Sequence, residues 1–359
     1  MTRTRLWQTG LELDSLSAEF NGIMGNATYI NIVNTNYKTG AYCLRVGGSA
    51  YTYDAVGYKM LPSETYQTSV GFHMKSQDTQ DFDVRIFTLR TTAGVEMFRL
   101  QVDNTGTFYS FYVWNEARQI QQVGSDISID QNIYYHWGID LKINASTGWC
   151  YVYKDGNLVA SYDGDTDLTK IGRIDFGTYP ELGDNNFLGG NYAYYDDIFI
   201  DDTTGETSAN PVPDRRFSLL KPDNNGIDSE WNGSDGNQVD NYLLVDDIPH
   251  DSDTTYVVAA TTDLKDSYNL ESFSLPANSE IRAIIPVAVS KKGDDTDCKI
   301  ALGLNVSASG EQIESGQNIP TSYGLCTFER FTTTSGGGDW TESDINNAQV
   351  IIQSEGTFT

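Results

Sequence analysis

Between Ile133 and Asp202 the sequence leaves little room for anything but strands. From Ile133 every second residue is apolar or aromatic: Ile133, Tyr135, Trp137, Ile139, Leu141, Ile143. The residues between them are Tyr134, His136, Gly138, Asp140, Lys142 and Asn144. A period of two is that of a strand with one buried face. Residues 144–148 supply a turn, after which Trp149, Tyr151 and Tyr153 share a face. Asp155-Gly156 predicts a type I′ hairpin, because both central residues tolerate positive φ. Residues 158–162 are the returning strand.

The same texture runs through the rest of the chain. Residues 81–90 are apolar on both faces, with Phe82, Val84 and Ile86 set against Phe87 and Leu89, which suits a strand covered on two sides. Residues 95–103 and 107–114 bracket a second turn at Asp103-Asn104-Thr105-Gly106, and 171–177 and 194–201 are further strands. At Asp202 the composition changes. DDTTGETSANPVPDRR has two prolines and no apolar period, which marks a linker at 206–216. Beyond it the connector 214–253 is acidic, with Trp231, Tyr242, Leu243, Leu244 and Val245 as its expected anchors. Ile281, Ala283, Ile285, Val287 and Val289 then form one apolar face, and Cys298, Ile300, Leu302, Leu304 and Val306 another. These two runs are expected as neighbours in a core, with Pro286 placing the first at an edge or bulge. Thr341 is expected to cap one helical turn. The chain therefore reads as all-β, a sandwich over 1–205 followed by a smaller one over 217–359. No internal repeat or heptad pattern links the halves.

Charge narrows the partners. The chain carries 23 Lys and Arg against 50 Asp and Glu, a formal charge of −27, which repels phosphate backbones and anionic lipid. Nucleic acid and membrane are therefore not expected partners. No stretch approaches the roughly 20 apolar residues of a membrane span. MTRTRLWQTG lacks the apolar run of a signal peptide, so synthesis in the cytoplasm is expected. Cys43, Cys150, Cys298 and Cys326 sit in strand-like runs without CxxC spacing and read as reduced, buried residues. Arg3 and Arg5 form the most basic spot and are expected to seat against an acidic neighbour.

WQTGLEL at 7–13, YCLRVGG at 42–48, the IYYHWGIDLKINASTGWCYVYKDGNLVASYD hairpin and the late YYDDIFIDD strand together resemble the laminin-G-like, concanavalin A-like jelly roll. They do so in the version carried by structural proteins of tailed-phage virions. VDDIPHDSDTTYV, EIRAIIPVAVSKKGDD and DWTESDINNAQV are similar to the carboxy-terminal β-sandwich that follows the jelly roll in such proteins. The resemblance implies a virion component on the particle surface, a capsid decoration or a head-fibre or tail accessory subunit. Its partners would be other virion proteins, and it would be a homo-oligomer, with a trimer fitting three-fold positions. The fold itself hosts lectins, glycosidases and scaffolds alike.

The residues offer little for turnover. His73, His136 and His250 are the three histidines, and no G-x-S-x-G, H-E-x-x-H or phosphate loop accompanies them. The acid triplets of jelly-roll glycosidases are absent, since Glu12 and Asp14 lack a third acid and read as a solvated face. No enzyme and no cofactor is expected. Should a cation bind, Ca2+ is the candidate. Asp196, Asp197, Asp201 and Asp202 flank the closing strand where such modules collect loop oxygens, whereas Asp163-x-Asp165-x-Asp167 fails as an EF-hand because Leu168 and Ile174 replace its Gly and Glu. Sugar binding to a host glycan is the sharper alternative. Tyr179, Asn185, Asn186, Phe187, Asn191 and Tyr192 combine rings that stack on pyranoses with amides that hold hydroxyls, and Trp114 is a second aromatic candidate.

Overall fold

The computed structural model describes residues 4–48, 55–77, 84–102, 107–177, 191–207, 211–293, 297–306, 310–327, 333–334 and 337–357. The architecture is all-β and divides into two compact units, Met1–Leu219 and Leu220–Thr359. Strands of the first unit are β1 (Thr4–Thr9), β2 (Gly22–Gly25), β3 (Ile30–Val33), β4 (Cys43–Gly48), β5 (Ala55–Thr65), β6 (Gln67–Gln77), β7 (Val84–Arg90) and β8 (Glu96–Val102). They continue with β9 (Phe108–Trp114), β10 (Ile120–Gln122), β11 (Ile127–Ser128), β12 (Tyr135–Lys142), β13 (Gly148–Lys154), β14 (Asn157–Gly164), β15 (Ile171–Gly177) and β16 (Asn191–Asp202).

Two antiparallel sheets result. The first runs β14-β13-β12-β6-β16-β4-β3, with β1 also on β16, and the second runs β10-β9-β8-β7-β15-β5-β2, with β11 on β9. The Asp155-Gly156 turn forms as its residues require, with φ of 50° and 78° between paired Lys154 and Asn157. Inner-face rings lock the two sheets together. Phe72 of the first sheet meets Phe87 of the second at 4.8 Å, Trp137 meets Tyr109 at 5.3 Å and Phe111 at 5.4 Å, and Tyr195 meets Phe176 at 5.1 Å. Each such pair adds about 0.5–1.5 kcal/mol beyond the area it buries.

One expectation needs correcting at β12. Trp137, Ile139 and Leu141 are fully buried as the alternation predicts, but so are His136 and Asp140 on the opposite face. Over Gly138 and the His73–His136 pair the cover comes from residues 211–217, all but the last of which were read from composition as linker. Here the chain lies across the outer face of the first sheet as a strap, its extended course favoured by Pro211 and Pro213. Val212 is buried with Tyr153 and Phe199, directly over Gly138, where an added Cβ would stand 2.6 Å from the Val212 Cβ. Asp214 Oδ1 lies 3.2 Å from His73 Nε2, Arg215 lies 3.3 Å from Asp201, and the Phe217 N–H donates to Asp197 at 2.9 Å. Arg5 forms an ion pair with the same Asp201, an acidic partner within its own chain, and Arg3 lies outside the described residues.

The second unit has β17 (Pro222–Ser229), β18 (Asn232–Gly233), β19 (Val257–Val258), β20 (Lys265–Leu270), β21 (Val287–Ser290), β22 (Cys298–Val306), β23 (Gly310–Ile313), β24 (Gln317–Asn318), β25 (Gly324–Thr327) and β26 (Ala348–Gly356). The main sheet runs β17-β20-β26-β22-β23, with β24 on β22, and β18-β19 and β21-β25 are separate ribbons. Of the first apolar run only Ile281 packs on the cluster that holds Leu304 and Val306; its neighbours there and on the cluster of Ile300 and Leu302 are Ile284 and Ala288, which alternate out of the predicted face, while β21 pairs with β25. Thr341 and Asp344 make a reciprocal capping box on the turn Glu342–Asn346. In the acidic connector Trp231 is buried while Leu243 is half exposed. Buried Asp266 explains the anchoring, because it accepts from the Glu230 and Trp231 N–H groups, Asn241 Nδ2 and the Tyr268 hydroxyl.

Candidate functional site

The second sheet aligns polar and aromatic side chains across its outer face. Register places Gly22, Tyr58, Asp175, Thr88, Arg99, Tyr112 and Gln122 in one row through seven strands. Paired residues share a face, so this row is continuous. The Tyr58 ring lies over Gly22, where a Cβ would come within 2.7 Å of its hydroxyl.

Arginines dominate the centre of this face. Arg90 reaches Glu96 at 3.0 Å and Asp175 at 2.9 Å, Arg173 reaches Asp175 at 2.5 Å, and Arg85 and Arg99 stand 3.6 and 3.8 Å from Glu96. Four guanidiniums thus share two carboxylates, a local charge of +2 in a chain of −27. Burial pushes the Asp175 carboxyl up, and Arg173 and Arg90 pull it back. Rings flank the cluster. The Arg99 guanidinium lies 4.8 Å from the Tyr112 centroid and 5.2 Å from that of Trp114, and Arg173 lies 4.3 Å from that of Tyr58. Tyr58, Tyr112 and Trp114 all keep part of their surface exposed. Arg90 and Arg173 are buried, with their N–H groups given to Thr88, Gly94, Glu96, Asp175 and Met24, so the part-exposed Arg85 and Arg99 beside Tyr112 and Trp114 are the groups a polyhydroxylated or anionic ligand can meet.

Of the residues that the sequence marked for sugar binding, Trp114 falls in this site. Its companions Arg85, Arg90, Arg99, Arg173, Tyr58 and Tyr112 went unmarked, although Tyr112 lies two residues before Trp114 on the same face of β9. Tyr179, Asn185, Asn186 and Phe187 lie outside the described residues. Asn191 and Tyr192 open β16 on the first sheet, where the Tyr192 ring carries the Arg45 guanidinium at 5.1 Å. Trp114 and Tyr192 therefore stand on different sheets.

The four aspartates marked for a cation are each engaged by donors of the chain. Asp196 accepts from the Lys38 and Thr39 N–H groups, and burial pushes its pKa up to about 7. Asp197, in a bulge with φ 50°, takes the Thr39 hydroxyl and lies 3.2 Å from His73 Nδ1. Asp201 pairs with Arg5 and Arg215, and Asp202 accepts from the Thr65 hydroxyl and Thr204 N–H. Ca2+ needs six to eight oxygens free to converge, and this donor set does not fit it. Among the described residues no three His, Cys, Asp or Glu side chains are grouped to hold a metal ion. Glu12, read as solvated, is buried and accepts from the Ala41 N–H at 2.8 Å, and burial pushes its pKa up to about 7.

No family model and no curated protein sequence matches this chain. Among solved structures it is similar to a carbohydrate esterase of the Shiga toxin-encoding bacteriophage phi24B, at 11% identity and a TM-score of 0.42, over 56% of this chain and 100% of that one. It is also similar to the alginate lyase Aly36B, at 12% identity and a TM-score of 0.36, over 56% and 96%. A sialidase matches at 12% identity and a TM-score of 0.37, over 50% of this chain and only 16% of its own. The fold assignment rests on the strands and sheets themselves.

Proposed function

We propose that this chain is a carbohydrate-binding subunit on the surface of a tailed-phage particle, working by binding without turnover. The observation that carries the binding part is Arg99 lying against both Tyr112 and Trp114 at the edge of the arginine cluster. Strand-borne rings and guanidiniums are held in place before any ligand arrives, which keeps the entropic cost of binding low. The carboxylates there, Glu96 and Asp175, are tied to arginines rather than standing opposite one another as an acid and a base. The phage location rests on the sequence resemblance alone. Probing purified particles for this chain, with its copy number, tests that part, since hundreds of copies per particle fit capsid coating and a handful fit the tail. A chain found free in the host and never in particles refutes it. A glycan array tests the binding part, which fails if no glycan is retained.

A further inference from the structure

A second group of cations and rings lies on the other sheet. Register sets Arg45 of β4 beside Tyr194 of β16, and Tyr194 beside Lys75 of β6, and Tyr134 stands just ahead of β12 on the far side of Lys75. The row thus alternates cation and ring across neighbouring strands. Lys75 Nζ lies 5.1 Å from the Tyr134 centroid and 5.0 Å from that of Tyr194. Asn36, on the loop above, accepts from Lys75 Nζ at 2.9 Å and, through its carbonyl, from the Tyr134 hydroxyl at 2.5 Å. Arg45 lies over Tyr192, the part-exposed ring at the front, and Tyr192 and Tyr194 stand 6.2 Å apart.

Arg45 is part-exposed and Lys75 is buried. Among the described residues no carboxylate stands within ion-pair distance of Arg45 or Lys75, whereas every arginine of the other site is so paired. The Arg45 Nε is buried with no hydrogen-bond acceptor. A buried donor left without an acceptor is costly, and a cation away from water more so. Rings offset part of that cost and leave the donor unmet. In a chain of −27 that has acids to spare, a pair of cations provided with rings but no carboxylate is complementary to an anion from outside.

We propose that this row is a second binding site, which takes a carboxylate-bearing sugar, with the carboxylate on the Arg45 fork and the pyranose face on Tyr192. Lys75, set behind them, adds charge without reaching the ligand. Burial already lowers the pKa of Lys75, and a bound anion reverses that shift. The site lies on a different sheet from Trp114, so the two binding readings fail separately.

The test titrates the full chain, followed by NMR, with tetraglucuronate and with its neutral glucose counterpart at low and high salt. The charged probe should bind, weaken as salt rises, and exceed the neutral one by about tenfold or more, the loss expected for one charge-assisted hydrogen bond. Arg45→Gln and Tyr192→Leu should each reduce binding of tetraglucuronate by a similar factor. Equal binding of both probes by the wild-type chain, a comparison that needs no variant, overturns the proposal. So does binding of tetraglucuronate that survives Arg45→Gln or Tyr192→Leu but vanishes on Trp114→Ala, which assigns the anion to the other sheet.

Discussion

Single residues set how closely the outer face of the first sheet can be covered. Phe199 lies against Gly71, where an added Cβ would stand 2.2 Å from its ring, and the guanidiniums of Arg5 and Arg215 lie 4.7 and 4.6 Å from the ring centroid. Gly71→Ala should therefore destabilise the fold by about 1–3 kcal/mol, the usual cost of overpacking, which a thermal melt measures as a lowered Tm. Glu12 gives a pH dependence of defined sign. Its folded pKa stands near 7, above the ordinary carboxylate value of 4.5, so the folded state holds the proton more tightly than the unfolded one. The stability it contributes is full below 4.5 and is lost as pH rises through 7. Glu12→Gln keeps an oxygen for the Ala41 N–H and removes the titration. Chemical denaturation at pH 5 and pH 8 should show a smaller loss with rising pH in the variant than in the wild type. Nothing in the sequence marked Glu12 as buried, because its cover comes from Gly40 and Ala41, a contact between segments about thirty residues apart.

At the scale of elements, the strap 211–217 is where sequence and structure diverge most. Its composition, two prolines and DRR, is that of a linker, and nothing local to it signals that Val212 packs over Gly138. Strand alternation is legible because it is local, whereas the strap depends on which face of which strand it meets. His73 holds it in a titratable way. Burial pulls the His73 pKa down, Asp197 and Asp214 more than reverse this, and it stands above its ordinary 6.5. Such a group stabilises fully below 6.5, and its contribution is lost as pH rises through the folded value. His136, pushed down to about 4 by burial beside His73, stays neutral across that window. Limited trypsin digestion reads the strap directly, since it carries Arg215 and Arg216. Cleavage there, normalised to trypsin activity on a free peptide, should accelerate from pH 6.5 to pH 8.5. Asp214→Asn should be cut quickly at both values. Equal rates for wild type and variant at pH 6.5 count against the ionic clamp.

For the whole molecule, the strap decides where the first unit ends. A fragment of residues 1–219 should fold and melt cooperatively, whereas 1–205 should aggregate or melt lower, because Tyr153, Phe199 and Gly138 lose their cover. Circular dichroism melts of the two fragments compare them directly. The all-β class and the pairing of the central hairpin were legible in the sequence because each strand announces itself by its own period. The arginine cluster was not, since Arg85, Arg90, Arg99 and Arg173 come from three strands that meet only after β15 inserts between β7 and β5. Trp114 was visible, and its setting was not. The account as a whole rests on that face binding a glycan and leaving it intact. The most direct measurement is the affinity of wild-type chain and Trp114→Ala for a glycan retained on an array, with new reducing ends followed in the same samples. The account predicts at least about tenfold weaker binding by the variant, in line with the loss of a stacking ring at a binding centre, and no new reducing ends from either protein. Unchanged affinity in the variant, or steady release of reducing ends by the wild type, contradicts it.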